Sequence, residues 1–411
     1  MRTVRERVGA RELLVVAEEA ARAASWSGVD PYDGLSGARV PQALRSAWRG
    51  RQSVIQLAKR CPWVRAPLGV APRRFAKADA CFVAGYVRLW ELTGEQLYRD
   101  SADELLGDLE AKRIGSRERA CWGYEFDVQT RWAFYPAGSP NIIVTTFAAH
   151  ALLDAADAFC DQEAATLALK AALFVAEELV GRTDAGLPYI RYAVGVDKLV
   201  HNANVLGAGV LARVGKRFGR DDLRALAAEV AATTFDSGAE PGMWPYGEGS
   251  LGWTDSYHTG YIIDGLAWVL DGHVAKWNRL LRESLRAYIV RFFEEDGLPR
   301  FGPDRRYPVD IHSAATAIDV LSRLAWVDTE ALPLASKIAA WTGLHMLTSD
   351  GMFFFQLHRF YKDRTPYMRW GQAHMLKALA CLAAAEAAGE GGSRTVAVAR
   401  LESRAAGSAS D

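Results

Sequence analysis

This sequence is marked first by what it lacks. No apolar run reaches the ~18 residues that would cross a bilayer, and the basic N-terminus leads into Leu-Leu-Val-Val, Glu18 and Glu19 without the apolar stretch of a signal peptide. A cytoplasmic protein with no transmembrane segment is expected. Net charge is absent too: lysine plus arginine and aspartate plus glutamate both number 49, so no overall field recruits nucleic acid or an anionic polymer. The five cysteines, Cys61, Cys81, Cys121, Cys160 and Cys381, form no CxxC or Cys/His spacing. That excludes a zinc module and suits buried thiols better than a disulfide frame. There is no GxGxxG after a strand, no Walker loop, no HExxH and no GxSxG, which leaves dinucleotide, nucleotide triphosphate, zincin and α/β-hydrolase chemistry unsupported. Neither a metal nor another cofactor is called for.

What is present is a repeat. Half of the residues are apolar and about a quarter charged, enough for a large core. Four segments open with a turn and a short extended piece: Asp184 to Tyr189, Pro241 to Tyr246, Asp296 to Phe301 and Asp350 to Phe355, with Cys121 to Phe126 a looser copy. Each has a glycine suited to positive φ, followed by residues that favour extended backbone. Helices rich in small apolar residues then start near Asp79, Asn141, Asn202, Tyr257, Asp310 and Tyr367, at intervals of 53 to 62 residues. Each interval holds two helices and their loops.

The two helices of each hairpin differ in pattern. Asn202–Arg213 and Tyr257–Leu270 are apolar nearly all round, as inner helices should be; Asp161–Leu179, Asp221–Thr234 and His273–Phe293 carry charge along one face, as outer helices should. The prediction is an all-α (α/α)6 toroid over 76–388, six helical hairpins in two rings with short extended segments at the pocket end. Residues 389–411 form a tail expected to be disordered. Six inner helices but five following outer ones can be counted, so residues 1–75 must supply the closing outer helix, and Pro41–Lys59 is the stretch assigned to it. That region has 14 Lys/Arg against 6 Asp/Glu, read here as the solvated back of the segment.

In such a ring all inner helices run the same way, so their N-termini, positive dipole ends and the extended pieces gather at one mouth. Candidate site residues follow from that placement. Trp122, Tyr124, Glu125, Asp127, Gln129 and Arg131 combine aromatic platforms with alternating polar residues, and Asn141 opens the next helix. Trp244, Tyr246 and Glu248 precede Trp253, Asp255, Tyr257 and His258, where a tyrosine and a histidine offer acid/base chemistry near neutral pH. Asp255 is also a natural helix cap. Tyr189, Arg191 and Asn202 occupy equivalent places, as do Asp310 and His312, and His358, Arg369 and Trp370. The catalytic candidates are Tyr257, His258, Glu125, Asp127, Glu248 and Asp255; the others would bind substrate.

The pattern resembles the (α/α)6 toroid enzymes, including six-hairpin glycosidases, toroidal polysaccharide lyases and N-acylglucosamine 2-epimerases. More narrowly, Trp122 to Asp127, Pro140-Asn141 and Trp253 to Gly260 look like toroid proteins of bacterial polysaccharide biosynthesis clusters, of the VpsJ type. The resemblance implies a saccharide-processing enzyme without assigning its catalytic residues. Hydrolysis would take two of Glu125, Asp127, Glu248 and Asp255 about 5–9.5 Å apart. Elimination or epimerisation would use Tyr257 or His258 to move a proton. An isoprenoid enzyme of the terpenoid-cyclase or prenyltransferase kind, and a non-catalytic glycan-binding or scaffold toroid, are the alternatives. An aromatic, titratable pocket favours sugars, an apolar cavity isoprenoids, and a filled ring scaffolding.

Overall fold

The computed structural model describes residues 9–270 and 275–390, and these build six helical hairpins in two concentric rings. The inner helices are α3 (Ala76–Thr93), α5 (Ile142–Phe159), α7 (His201–Phe218), α9 (Ser256–Val269), α11 (Ile311–Arg323) and α13 (Ala373–Glu390). Five outer helices follow them: α4 (Gln96–Ala111), α6 (Gln162–Glu178), α8 (Asp221–Phe235), α10 (Ala275–Phe292) and α12 (Ala331–Met346). The expected toroid is the observed architecture.

Local chemistry explains the periodicity. Gly186, Gly242, Gly297 and Gly351 all take positive φ in the turns before the extended pieces, a conformation that costs glycine nothing. The extended pieces pair only briefly. β1 (Val128–Gln129) pairs with β2 (Phe134–Tyr135), β3 (Val180–Arg182) with β4 (Pro188–Ile190), and β5 (Val309–Asp310) with β6 (Gln356–Leu357), which also pairs with β7 (Lys362–Asp363). Small residues let the inner helices approach one another: a Cβ at Gly85 of α3 would collide with Leu376 of α13. The 18 residues of α5 are long and apolar enough to cross a membrane by composition, but they are an inner helix packed on both rings.

The closing outer helix differs from expectation. It is α1 (Ala10–Ala23), which lies beside α13 and α12 with Leu13, Leu14, Ala17 and Ala21 buried. Glu18, also buried, accepts from Tyr86 Oη of α3 at 3.1 Å. The assignment of Pro41–Lys59 to this place is therefore corrected. Its main helix, α2 (Trp48–Arg60), instead lies across the mouth of the ring, where Arg51 Nε donates to Gln129 Oε1 at 2.7 Å and Gln52 Nε2 to the Gln129 carbonyl at 2.9 Å. Val54, Ile55 and Leu35 give this segment a small core of its own, which is why a sequence pattern adjoining the first inner helix is not part of the ring. Gly389 and Glu390, the first two positions of the predicted tail, belong to α13, and the remainder, 391–411, lies outside the described residues.

Candidate active site at the mouth of the ring

Several candidate residues prove to be the caps that start the inner helices. Asn141 Oδ1 accepts from Val144 N (3.0 Å), Asp255 Oδ1 from His258 N (3.0 Å), Asp310 Oδ1 from His312 N (2.9 Å) and Glu125 Oε1 from Ala76 N (2.6 Å). Each satisfies a donor that a helix start would otherwise leave orphaned. Burial pushes the Glu125 carboxyl up, with the Ala76 and Glu125 backbone N–H groups pulling back. Asp127 accepts from Ala137 N at 2.8 Å in the loop after β2.

The densest group surrounds α9. Asp255 Oδ2 holds His258 Nδ1 at 2.7 Å and accepts from Trp253 Nε1 at 3.2 Å. Fixing Nδ1 to a carboxylate sets the tautomer and the ring's orientation; His258 Nε2 bonds to nothing among the described residues. Tyr246 stacks on Trp253 (4.6 Å, 11°) and packs against His258 (4.5 Å). Tyr257 stands between two imidazoles, 4.2 Å from His258 and 5.1 Å from His312.

His312 is held at both nitrogens: Nδ1 lies 2.8 Å from the Trp370 carbonyl and Nε2 2.6 Å from Tyr261 Oη. A carbonyl can only accept, so Nδ1 carries the proton and Nε2 accepts from the phenol. Burial and then the Lys77 charge hold its pKa well below the histidine norm, so this ring is neutral. Trp370 stacks on it at 4.5 Å and donates through Nε1 to Asp310 Oδ1 at 2.9 Å, while Gln356 Nε2 occupies Asp310 Oδ2 at 2.5 Å. Asp310 is thus consumed in positioning Trp370 and β6, and burial raises its pKa.

Across the mouth, Tyr124 Oη meets Tyr192 Oη at 3.2 Å, and Tyr192 stacks on Tyr135 at 5.2 Å with Trp132 edge-on at 5.8 Å. Arg369 lies 5.0 Å from the Tyr124 ring, paired with Asp30 through 2.7 and 2.8 Å contacts. Tyr32 leans on Trp370 (5.8 Å), and burial lifts its pKa to about 12. Tyr32, Tyr192, Tyr257, His258 and Trp370 each keep part of their surface exposed.

Other candidates lie elsewhere. Trp122 and Trp244, 0% and 1% exposed, are core: Trp122 Nε1 donates to the Leu109 carbonyl (2.7 Å), and Trp244 packs edge-on against Phe235 (5.6 Å). Neither offers a face to a ligand. Gln129 is buried and spends its amide on Thr130 and Ala133 carbonyls. Tyr189 is buried in the β3–β4 pair, and Arg191 is tied to Asp197 at 2.6 Å. Asn202 is buried in the first turn of α7, its Oδ1 without a partner among the described residues. Glu248 and Arg131 are exposed at the rim, and His358 stacks on Tyr361 in the β6–β7 turn.

Sequence reasoning missed Lys77. This side chain is 3% exposed, lies over Phe147 at 4.3 Å and Tyr261 at 5.5 Å, and has no hydrogen bond or carboxylate partner among the described residues. Burial, reinforced by Arg369, lowers its pKa to about 7. His374 (4.2 Å from His312), Tyr261 and Tyr32 were missed as well, since each reaches the mouth from a helix interior or from the N-terminal segment. No group of three or more metal-ligating side chains occurs among the described residues.

No protein-family model matches this chain, and no curated protein matches it in sequence. Solved structures do match in shape. A cellobiose 2-epimerase from Bacillus thermoamylovorans superposes with TM-score 0.58 at 12% identity, over 76% of this chain and 88% of that one. A possible member of the GH105 family from Salmonella enterica gives 0.58 at 13% identity, over 92% and 94%. An inactive variant of an α-1,6-mannanase from Salegentibacter, with two adjacent aspartates replaced by asparagine and in complex with α-1,6-mannotriose, gives 0.52 at 13%, over 75% and 88%. These likenesses show the fold, an (α/α)6 toroid.

Proposed function

We propose that the chain is a saccharide-processing enzyme that works by proton transfer at the mouth of the ring, as a sugar epimerase or isomerase. The observation that carries this reading is the Asp255–His258 dyad, with Nδ1 fixed at 2.7 Å and Nε2 free beside Tyr257, in a wall of rings suited to stacking on sugar faces. His258 would take a proton from the carbon next to a sugar carbonyl. Tyr257, whose phenol burial keeps protonated far above its ordinary range, would donate toward the developing oxyanion. The matching fold of a cellobiose 2-epimerase is consistent with this chemistry.

Hydrolysis is less well supported. Among its four candidates, Glu125, Asp127 and Asp255 are engaged by donors and Glu248 sits exposed at the rim. The mannanase variant that lacks two adjacent aspartates is inactive, whereas the only such pair in this sequence, Asp221-Asp222, starts an outer helix away from the mouth and pairs with Arg224 and Arg220. The isoprenoid reading is disfavoured by so many polar and titratable groups around the mouth. A role in polysaccharide biosynthesis, in bacteria and in the cytoplasm, is the setting we infer for the activity.

The test is incubation with cellobiose, mannose, glucose and N-acetylglucosamine in heavy water, followed by NMR. Deuterium should enter beside the carbonyl carbon as the epimer or ketose appears, and His258→Ala and Tyr257→Phe should each lower the rate by about two to four orders of magnitude with unchanged melting. New reducing ends from an oligosaccharide without deuterium uptake would make the protein a hydrolase instead.

A further inference from the structure

The chain is neutral overall, yet its charge is unevenly placed. Between Asp33 and Asp79 there is no acidic residue and there are ten lysines and arginines. Some of these are spent inside the fold: Arg65 pairs with Asp33 at 3.1 Å, and Arg74 reaches Glu104 and Asp108. Arg39, Arg49 and Arg60 are exposed, with no carboxylate partner among the described residues.

The same segment displays large apolar side chains outward. Helix α2 buries Val54, Ile55 and Ala58 on one side, while its outer side carries Arg49, Leu57 and Arg60, with Trp48 at its start 49% exposed. Trp63, in the turn that follows, is 75% exposed. A second element at the mouth repeats the combination: in the β6–β7 turn, Phe360 and Tyr361 are 87% and 61% exposed between Arg359 and Lys362. The two elements adjoin, since Lys59 of α2 lies 4.8 Å above the ring of Phe355, just before β6. Isolated exposed rings need no explanation. Tryptophan, phenylalanine and tyrosine interspersed with unpaired arginine and lysine on one end of a molecule are what an anionic bilayer surface binds, with rings in the headgroup boundary and cations on lipid phosphates.

We propose that α2, the turn at Trp63 and the β6–β7 turn together form a docking surface for an anionic lipid membrane, which holds the protein peripherally with the mouth of the ring turned toward the bilayer. Membrane binding of this kind does not depend on the proton-transfer reading above.

Flotation of the full chain with phosphatidylcholine vesicles, with and without about one-third phosphatidylglycerol, tests it. The protein should float only with the anionic vesicles and be released at about 1 M salt, where the Debye length is ~3 Å. Arg49→Gln and Arg60→Gln should each lower the partition coefficient about fivefold, and Trp63→Ser and Phe360→Ser by at least about tenfold. All four residues are exposed, so melting should not change; a variant that does melt early is replaced by Arg359→Gln or Tyr361→Ser. Failure to float with anionic vesicles, equal flotation with neutral ones, or variants that float like the parent overturn the proposal. Displacement from the vesicles by transfer RNA, with saturable RNA binding that Arg49→Gln and Arg60→Gln weaken, would assign the surface to nucleic acid.

Discussion

The two ends of the ring treat charge differently. At the base, where the inner helices finish, cations and carboxylates are matched: Arg213 with Asp154 (2.6 Å), Arg323 with Asp264 (2.6 Å) and Asp319 (3.1 Å), and Lys377 with Asp319 (2.7 Å). Burial alone would raise the Asp154 carboxyl, but Arg213 and Arg88 bring it to about 2. Asp319 is likewise pulled well below the carboxylate range by Arg323 and Lys377 against the effect of burial. The cavity here is about 60 Å³, far below the ~300 Å³ at which ordinary ligand pockets begin. At the mouth the matching is incomplete. Arg369 pairs with Asp30, but among the described residues Lys77 has no carboxylate partner and His258 keeps a nitrogen free, and both lie against aromatic rings. Matched charge closes a structure, whereas unmatched titratable groups are where chemistry is to be sought.

This contrast can be broken at either end. The largest stability effect is expected at the base: Asp319→Ala leaves Arg323 and Lys377 short of a partner and should cost about 3–5 kcal/mol, measured by urea unfolding. A loss below about 1 kcal/mol would mean that the network is loosely hydrated.

Lys77→Met should act in the other direction and with pH. The folded-state pKa of about 7 lies below the unfolded value, so between pH 7 and about 10 the unfolded chain binds the extra proton. The destabilisation is therefore full below pH 7 and relieved as pH rises, by up to about 1.4 kcal/mol per unit. The parent should gain stability over that range relative to Lys77→Met; parallel curves would mean that the ammonium has a partner in solution. The smallest effect is reserved for the platform. Trp253→Ala removes the ring that stacks on Tyr246 and should weaken saccharide binding by about 0.5–1.5 kcal/mol in calorimetry, with little change in melting.

The repeat, the two rings and the mouth were legible because each rests on local signals: a glycine turn, an apolar helix, a cap such as Asp255. Trp122 and Trp244 misled because an aromatic in an extended piece looks the same whether it faces the mouth or the core. Lys77 was invisible, since one lysine in the first turn of a helix carries no sign that its ammonium ends over Phe147. The Asp30–Arg369 pair spans 339 residues and leaves no pattern in either neighbourhood. The apolar stripe of α1, Leu13, Leu14, Ala17 and Ala21, is legible in the sequence, but the helix next to α3 carries a stripe of its own in Val54, Ile55 and Ala58, and adjacency in sequence does not decide which of the two closes the ring.

The seating of α1 against α13 also has a temporal side. Helix α1 belongs beside the last inner helix of the ring, so it must wait while some 350 further residues are made. Each hairpin between them can form as it emerges, from neighbours close in sequence. Closure joins segments far apart in sequence, α1 and α3 with α13, and until it happens α1 and the opposed flank of α13 present bare apolar stripes. A nascent chain of this design is a spiral with two sticky edges, and its most hazardous moment comes just before it becomes a ring.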